Sequence, residues 1–450
     1  MSSDGLTSFL FSAPEMANVF SPLAQLRAMT RFEWALSCAL EANGRAEAGS
    51  AAALEKLLSA EFVDVTSLLR EARDTGNIAI PFVRQLTAAV KAQSESAARS
   101  VHLGATSQDV IDTALVLQMK EGLGLLDAAL ARLNAALLAQ VKRHRDTVML
   151  GRTWMQAGPP VTLGLKLAAV VAALRRSRHR IREEAERALV LQFGGAVGTL
   201  ASLGLVGGAV SSEVALLLDL AEPELPWHAQ RDGLVAMVQV LALVTGTLAK
   251  FGRDVALLMQ SEVGEVSEGG AAGHGGSSTM PHKHNPVRCA ALIAIHAKMP
   301  GLSATMLHAM PQEHERGLGL WQAEWDTVPE AFRLTSAAIG YATEIVEGMK
   351  VDADRMHANL DAMHGLPLAE AVSGALASTI GRLEAHELLR KAADRALTQN
   401  LPLSEVLKQM PDVKTHLNDS EIDRLLDARN FLGSTERFIS RVLGDGDAHS

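Results

Sequence analysis

The run Gly273-His274-Gly275-Gly276-Ser277-Ser278-Thr279-Met280-Pro281-His282-Lys283-His284-Asn285-Pro286 gathers the groups best placed to do chemistry in this 450-residue chain. Its glycines free the backbone, so successive N–H groups can turn toward one point. Ser277, Ser278 and Thr279 add hydroxyls, Lys283 a fixed positive charge, and Asn285 a neutral donor and acceptor. Such a set describes a concave anion site with a hydroxyl at its centre; a surface loop without a role is the bland alternative. Three other chemistries fit poorly. Ser277 is followed by Ser278 and Thr279, which breaks the G-x-S-x-G frame of a nucleophile elbow. His282 and His284 lack an H-E-x-x-H frame or cysteine partners, so no metal is expected. Lys283 is followed by His284, where a phosphate-binding P-loop needs Ser or Thr. No cofactor is expected either.

The elements that must position this loop read as helices. Between residues 31 and 48, Phe32, Leu36, Ala39 and Leu40 recur at three-to-four spacing. Ala and Leu fill residues 112–138 and 162–174. Convincing alternating strands are hard to find, and the chain reads as all-α. Residues 76–81, 104–107, 151–160 and 222–226 form polar or Gly/Pro-rich breaks. The pattern shortens after Gly365-Leu366-Pro367, and Ser420 is an expected N-cap for residues 421–428. The expected organisation is an N-terminal helical domain over 1–108, a long central bundle over 109–362 and a small helical domain over 363–450. The arginine-rich residues 175–187 are expected to form a solvated face, with Arg180–Glu184, Arg182–Glu186 and Glu183–Arg187 paired at i,i+4.

Composition narrows the class. Hydrophobic residues make up 48% of the chain, enough for a large core, while aromatics are only 4%, too few for a base-stacking platform. A net charge of −9 disfavours a general polyanion binder, so no nucleic-acid partner is expected. A local donor cluster can still hold an anionic substrate. Two distant cysteines make no disulfide framework, and a cytoplasmic protein is the expectation. Two uncharged stretches, 233–249 and 188–212, read as buried core helices and not as membrane spans, the first for its length and the second for its glycines.

The residues Gly276-Ser277-Ser278-Thr279-Met280-Pro281-His282-Lys283-His284-Asn285-Pro286 resemble the long G-S-S-x-M-P-x-K-x-N signature of the fumarase/aspartase superfamily. Two further blocks match in order: His102-Leu103-Gly104-Ala105-Thr106-Ser107-Gln108-Asp109 and Gly151-Arg152-Thr153-Trp154-Met155-Gln156. The resemblance implies a nearly all-α homotetramer with a 20-helix core and active sites each shared by three subunits. It also implies a reversible β-elimination through a dianionic aci-carboxylate, with Ser277 moving the proton. Clustered amides and Lys283 agree with that chemistry, because so weak a carbon acid needs its extra charge stabilised. Thr106, Ser107, Arg152, Thr153, Gln156, Gln230, Ser278, Asn285 and Arg316 are the implied substrate-binding positions, with a helix cap as the alternative for Thr106 and Ser107 and a surface ion pair for Arg316, and Trp154 is a pocket wall or participant.

The sequence departs from the family where most members carry a His–Glu dyad. Trp154 stands at the histidine position and Ala290 at the glutamate position. Residues 321–325, Trp-Gln-Ala-Glu-Trp, stand where nucleotide-cleaving members continue into phosphate-binding residues. Both departures suit the branch in which the substrate's own carboxylate is nucleophile and leaving group. That group has a pKa near 4, so it attacks and departs ionised and requires no second acid–base residue. The expected substrate is a small tricarboxylate and the expected reaction an intramolecular lyase (cycloisomerase) step. A C–N lyase of the same fold and an inactive structural homologue are the alternatives.

Overall fold

A computed structural model describes residues 7–269, 275–276, 280 and 283–444. Of the described residues, 70% are helical. We label the elements that bear on the site: α1 (Pro22–Ala42), α2 (Ser107–Arg143), β1 (Val148–Thr153), β2 (Gln156–Thr162), α3 (Leu163–Ala188), α4 (Gly207–Leu218), α5 (Asp232–Leu258), β3 (Val266–Ser267), α6 (Val287–Ala309), α7 (Leu320–Gly348) and β4 (Lys350–Val351). Two compact units divide the chain, and α2, α3, α5, α6 and α7 each contribute residues to both.

The first unit comprises residues 1–130, 176–246 and 291–340. Its core is the apolar face of α1 (Met29, Phe32, Leu36, Leu40) packed with Val110, Ala114, Leu191, Phe193 and Val214. Phe32 meets Phe193 edge-on at 6.0 Å between ring centroids. The second unit comprises 131–175, 247–290 and 341–450. It holds an antiparallel hairpin, β1–β2, a short β3–β4 pair, and a helical core built on Val372, Leu376, Leu389, Leu403, Val406 and Ile422.

Four local expectations are corrected. Residues 151–160 are the arms of the hairpin and not a polar turn; the turn itself is only Trp154-Met155. Alternation was unreadable there because both arms carry Gly or Pro, and an extra residue opposite Leu150/Gly151 forms a bulge. Gly151 is obligatory at that bulge, since a Cβ there would meet the Pro159 carbonyl oxygen at 2.2 Å. The N-cap before residues 421–428 is Asn418, not Ser420. Its side chain accepts from Glu421 N at 2.9 Å, and Glu421 Oε2 accepts from Asn418 N at 2.8 Å, a capping box. Among the arginines, Arg178 pairs across to Asp127 (2.6 and 2.7 Å) and Arg187 pairs to Glu184, three residues back, so a tertiary partner and an i,i+3 partner stand in place of the expected i,i+4 pairs. Residues 188–212 are mostly loop and 3₁₀ turn ahead of α4, because their glycines favour turns over helix. The other stretch, 233–249, does lie inside α5, whose most apolar window is 61% buried.

Candidate active site

Asp109, the third residue of α2, organises the first of the three motif blocks. Its carboxylate is fully buried and accepts six hydrogen bonds. Oδ2 takes Thr106 N (2.8 Å), Thr106 Oγ1 (2.9 Å) and Gly195 N (3.1 Å). Oδ1 takes His228 Nε2 (2.7 Å), Gly194 N (3.0 Å) and Gln192 Nε2 (3.2 Å). Burial alone would push this carboxyl up, but the His228 imidazole, with Thr106 and Gln192, holds it below the usual carboxylate range. Gly194 has no room for a side chain, as a Cβ would lie 2.8 Å from His228 Cε1 and 2.6 Å from Pro226 Cβ. The 194–195 backbone is thereby pressed onto the carboxylate.

Arg316 lies against the same cluster. Its Nη2 donates to Thr106 Oγ1 at 2.6 Å and to the Gly195 carbonyl, its Nε to the Ala196 carbonyl at 2.8 Å, and its Nη1 reaches Gln108 Oε1 only at 3.4 Å. Burial lowers the guanidinium's pKa, opposed by the charges of Asp109 and Asp112. No carboxylate is hydrogen-bonded to it among the described residues, so it is not a surface ion pair. The Thr106 hydroxyl gives its proton to Asp109 and its lone pair to Arg316, so it positions the arginine. Ser107 is half-buried at the first residue of α2.

Beneath this layer sits a buried charge triad that sequence reasoning missed. Arg231 is fully buried and donates to Asp112 (2.6 and 3.1 Å) and to Glu324 (3.0 Å). Trp321 Nε1 adds a 2.9 Å bond to Asp112, and Trp227 lies 4.7 Å from the guanidinium. The carboxylates hold Arg231 above its usual pKa, while burial raises Glu324 despite Arg231. The residue before it, Gln230, is exposed. A second missed pair is Glu33 of α1 with His102, whose Nδ1 and backbone N–H both meet the carboxylate. Burial opposes protonation of His102, yet Glu33 raises its pKa above the ordinary value.

The second unit positions the other two blocks. Arg152 in β1 gives both Nη atoms to buried Glu265 (3.0 and 2.6 Å), which also accepts from Asn359 Nδ2 at 2.8 Å. Its guanidinium is therefore bound within the fold. Thr153 and Gln156 pair across the hairpin end and are exposed. Trp154 and Met155 both adopt left-handed backbone, with φ of 52° and 64°, and the indole is 98% exposed. Ser277 and Ser278 lie outside the described residues. On either side of them, Gly276 bridges His284 and Asn285 N donates to the Gly275 carbonyl at 2.7 Å. Gly275 has φ of 67° and passes so close that a Cβ would meet the Asn285 carbonyl at 2.5 Å. Lys283 is exposed and Asn285 half-buried. Glu268, just before the loop, accepts from Arg288 N (3.2 Å) and Cys289 N (2.7 Å) at the start of α6, clasping the loop's exit to its entry. Burial and this carboxylate push the Cys289 thiol well up.

The missed residues carry little signal in sequence. Only Asp109 falls inside a matched block, and its position three residues after Thr106 is the signal that could have marked it as an N-terminal helix partner. His228, Gln192 and Arg231 sit in loops or at helix starts where nothing marks them as buried.

The fold and these blocks define a lyase. The sequence model of the lyase family matches residues 15–301, and that of the adenylosuccinate lyase C-terminus matches residues 365–442. The chain belongs to this family, the fumarase/aspartase superfamily. Within it, the chain is 50% identical to a 3-carboxy-cis,cis-muconate cycloisomerase of Pseudomonas aeruginosa, over 97% of this chain and 95% of the relative. A crystal structure of the 3-carboxy-cis,cis-muconate lactonizing enzyme from Pseudomonas putida superposes with a TM-score of 0.93 at 46% identity, covering 98% and 99% of the two chains. A nitrosuccinate lyase of Streptomyces davaonensis is 37% identical over 98% of this chain and 95% of its own.

Proposed function

We propose that this protein is an isomerase of the intramolecular-lyase type, which converts 3-carboxy-cis,cis-muconate to 4-carboxymuconolactone in protocatechuate degradation. The observation that carries the reading is the joint loss of the family's dyad. An exposed indole, Trp154, and Ala290 replace histidine and glutamate, while Lys283, Asn285 and the signature remain. The 50% identical cycloisomerase relative supports the same substrate.

One carboxylate oxygen of the substrate adds to the distal carbon of a conjugated double bond. The π electrons move onto the neighbouring carboxylate and form an aci-carboxylate. Loop amides, Lys283 and Asn285 stabilise that dianion; losing one such donor costs about 10²–10³ in rate. Ser277 gives its hydroxyl proton to the α-carbon and regains one from solvent. The trianionic substrate becomes a dianionic lactone, so one proton is consumed per turnover. Arg316, held by Thr106, takes another substrate carboxylate, with Ser107 at the N-terminal end of α2 beside it. Trp154 keeps water from the reacting carbon. Arg152, bound to Glu265, and Thr153 set the hairpin end; Gln156 and Gln230 offer amides to the substrate.

The active form is a cytoplasmic homotetramer in which three subunits build each site. Supporting this, the apolar windows of α2 and α6 are only 33% buried in the single chain. Incubating the purified protein with 3-carboxymuconate should abolish the diene's ultraviolet absorbance with uptake of one proton per molecule. Unchanged absorbance, or ready release of AMP from adenylosuccinate, would overturn the reading in favour of a C–N lyase.

A further inference from the structure

Fully buried Asp109 and half-buried Arg316 carry opposite charges in the same cluster, yet they form no direct ion pair. His228 stands between them, with Nε2 2.7 Å from Asp109 Oδ1 and 3.1 Å from Arg316 Nη2. A count of the hydrogens on Arg316 assigns the imidazole's tautomer. Both Nη2 hydrogens of Arg316 go to Thr106 Oγ1 and the Gly195 carbonyl, and its Nε–H goes to the Ala196 carbonyl. No hydrogen remains on Nη2 for His228, so Nε2 bears its own and donates it to Asp109. The ring completes three donors on Asp109 Oδ1, beside Gly194 N and Gln192 Nε2. Nη1 is then the guanidinium nitrogen with least engagement, its single hydrogen bond among the described residues being to Gln108 Oε1 at 3.4 Å.

We propose that His228 is a positioning residue for Arg316: by satisfying Asp109 and standing between the two charges, it keeps the guanidinium from collapsing into an ion pair and leaves Nη1 for a substrate carboxylate. The inference rests on the reading that Arg316 binds such a carboxylate. Without the imidazole donor, Asp109 keeps five hydrogen bonds and its negative charge. In this low-dielectric setting Arg316, linked to it through Thr106 Oγ1, is drawn toward it. The driving force is Coulombic, and the penalty falls on anion binding.

The test is a double-mutant cycle on the full-length protein, read by calorimetric titration with tricarballylate, a saturated tricarboxylate that cannot react. His228→Leu keeps the bulk and removes the donor, so its Kd should rise tenfold or more. His228→Gln restores an N–H at similar reach, so its Kd should stay within about threefold of the parent. In an Arg316→Ala background, His228→Leu should change Kd less than twofold, because the group it positions is gone. Additive losses in the cycle, an equal loss in His228→Gln, or no measurable tricarballylate binding by the parent would each overturn the proposal. If His228→Leu does not fold, the same cycle with His228→Gln and His228→Asn decides it: the proposal requires the Gln variant to bind more tightly than Asn, and requires the difference to vanish without Arg316. Turnover of 3-carboxymuconate is scored separately. A cycle that couples in a protein inert toward that compound would sink the substrate assignment and keep His228 in its role.

Discussion

At Glu33 the chain sets a carboxylate inside a helical core and supplies one titratable partner, His102, to balance it. The imidazole's folded pKa lies above its unfolded value near 6.5, so the pair's contribution is fully present below about pH 6.5. It is lost as the pH rises through the raised folded value. Urea midpoints should therefore fall on the alkaline side of neutrality. Glu33→Gln should flatten that decline by returning His102 toward its ordinary pKa; a variant with the parent's slope would remove the pair from this role. Asp109 works with the opposite sign, contributing above its unfolded pKa near 3.9 and losing that contribution as acid reaches its lowered folded value. Of these residues the sequence marks only the Thr106–Asp109 spacing. Glu33 follows Phe32 in an ordinary amphipathic pattern, and its burial depends on a loop that returns 69 residues later. His228 meets Asp109 across 119 residues, beyond the reach of any periodicity.

At the scale of the element, the hairpin end is the clearest case of local preference giving way to use. A two-residue turn with positive φ at both central positions favours Asn-Gly, and here it holds Trp154-Met155. Each left-handed non-glycine costs about 1–2 kcal/mol. Met155→Gly should raise the unfolding free energy by about 1 kcal/mol, measured by denaturant titration; a decrease would mean that Met155 packs where the single chain shows it exposed. The helices were legible because Ala and Leu runs fix them with little help. The hairpin was not, because prolines at 159 and 160 and the bulge at Gly151 hide its pairing. The signature loop was legible in type, and the flanking pairing of 275–276 with 284–285 gives it a closed base. The Glu268 clasp escaped notice, since a single acid before a glycine run carries no pattern.

At the scale of the whole molecule, several large apolar side chains stand exposed in the single chain. Leu205 is fully exposed, Leu216 and Leu318 are 79% and 87% exposed, and the most apolar windows of α2 and α6 are only 33% buried. Sedimentation should give a mass about four times the chain's 47.8 kDa, and a monomer would contradict the shared-site account. The all-α class and the family were readable from three motif blocks; the discontinuous assembly of each compact unit was not, because long helices carry no mark of where one packing partner ends. The central chemical claim is that the substrate's own carboxylate closes the ring and no water enters. Turnover of 3-carboxymuconate in ¹⁸O-enriched water, with the first-formed product analysed by mass spectrometry, tests this most directly. An unlabelled lactone is the predicted result; a hydroxy acid carrying one solvent oxygen would contradict it.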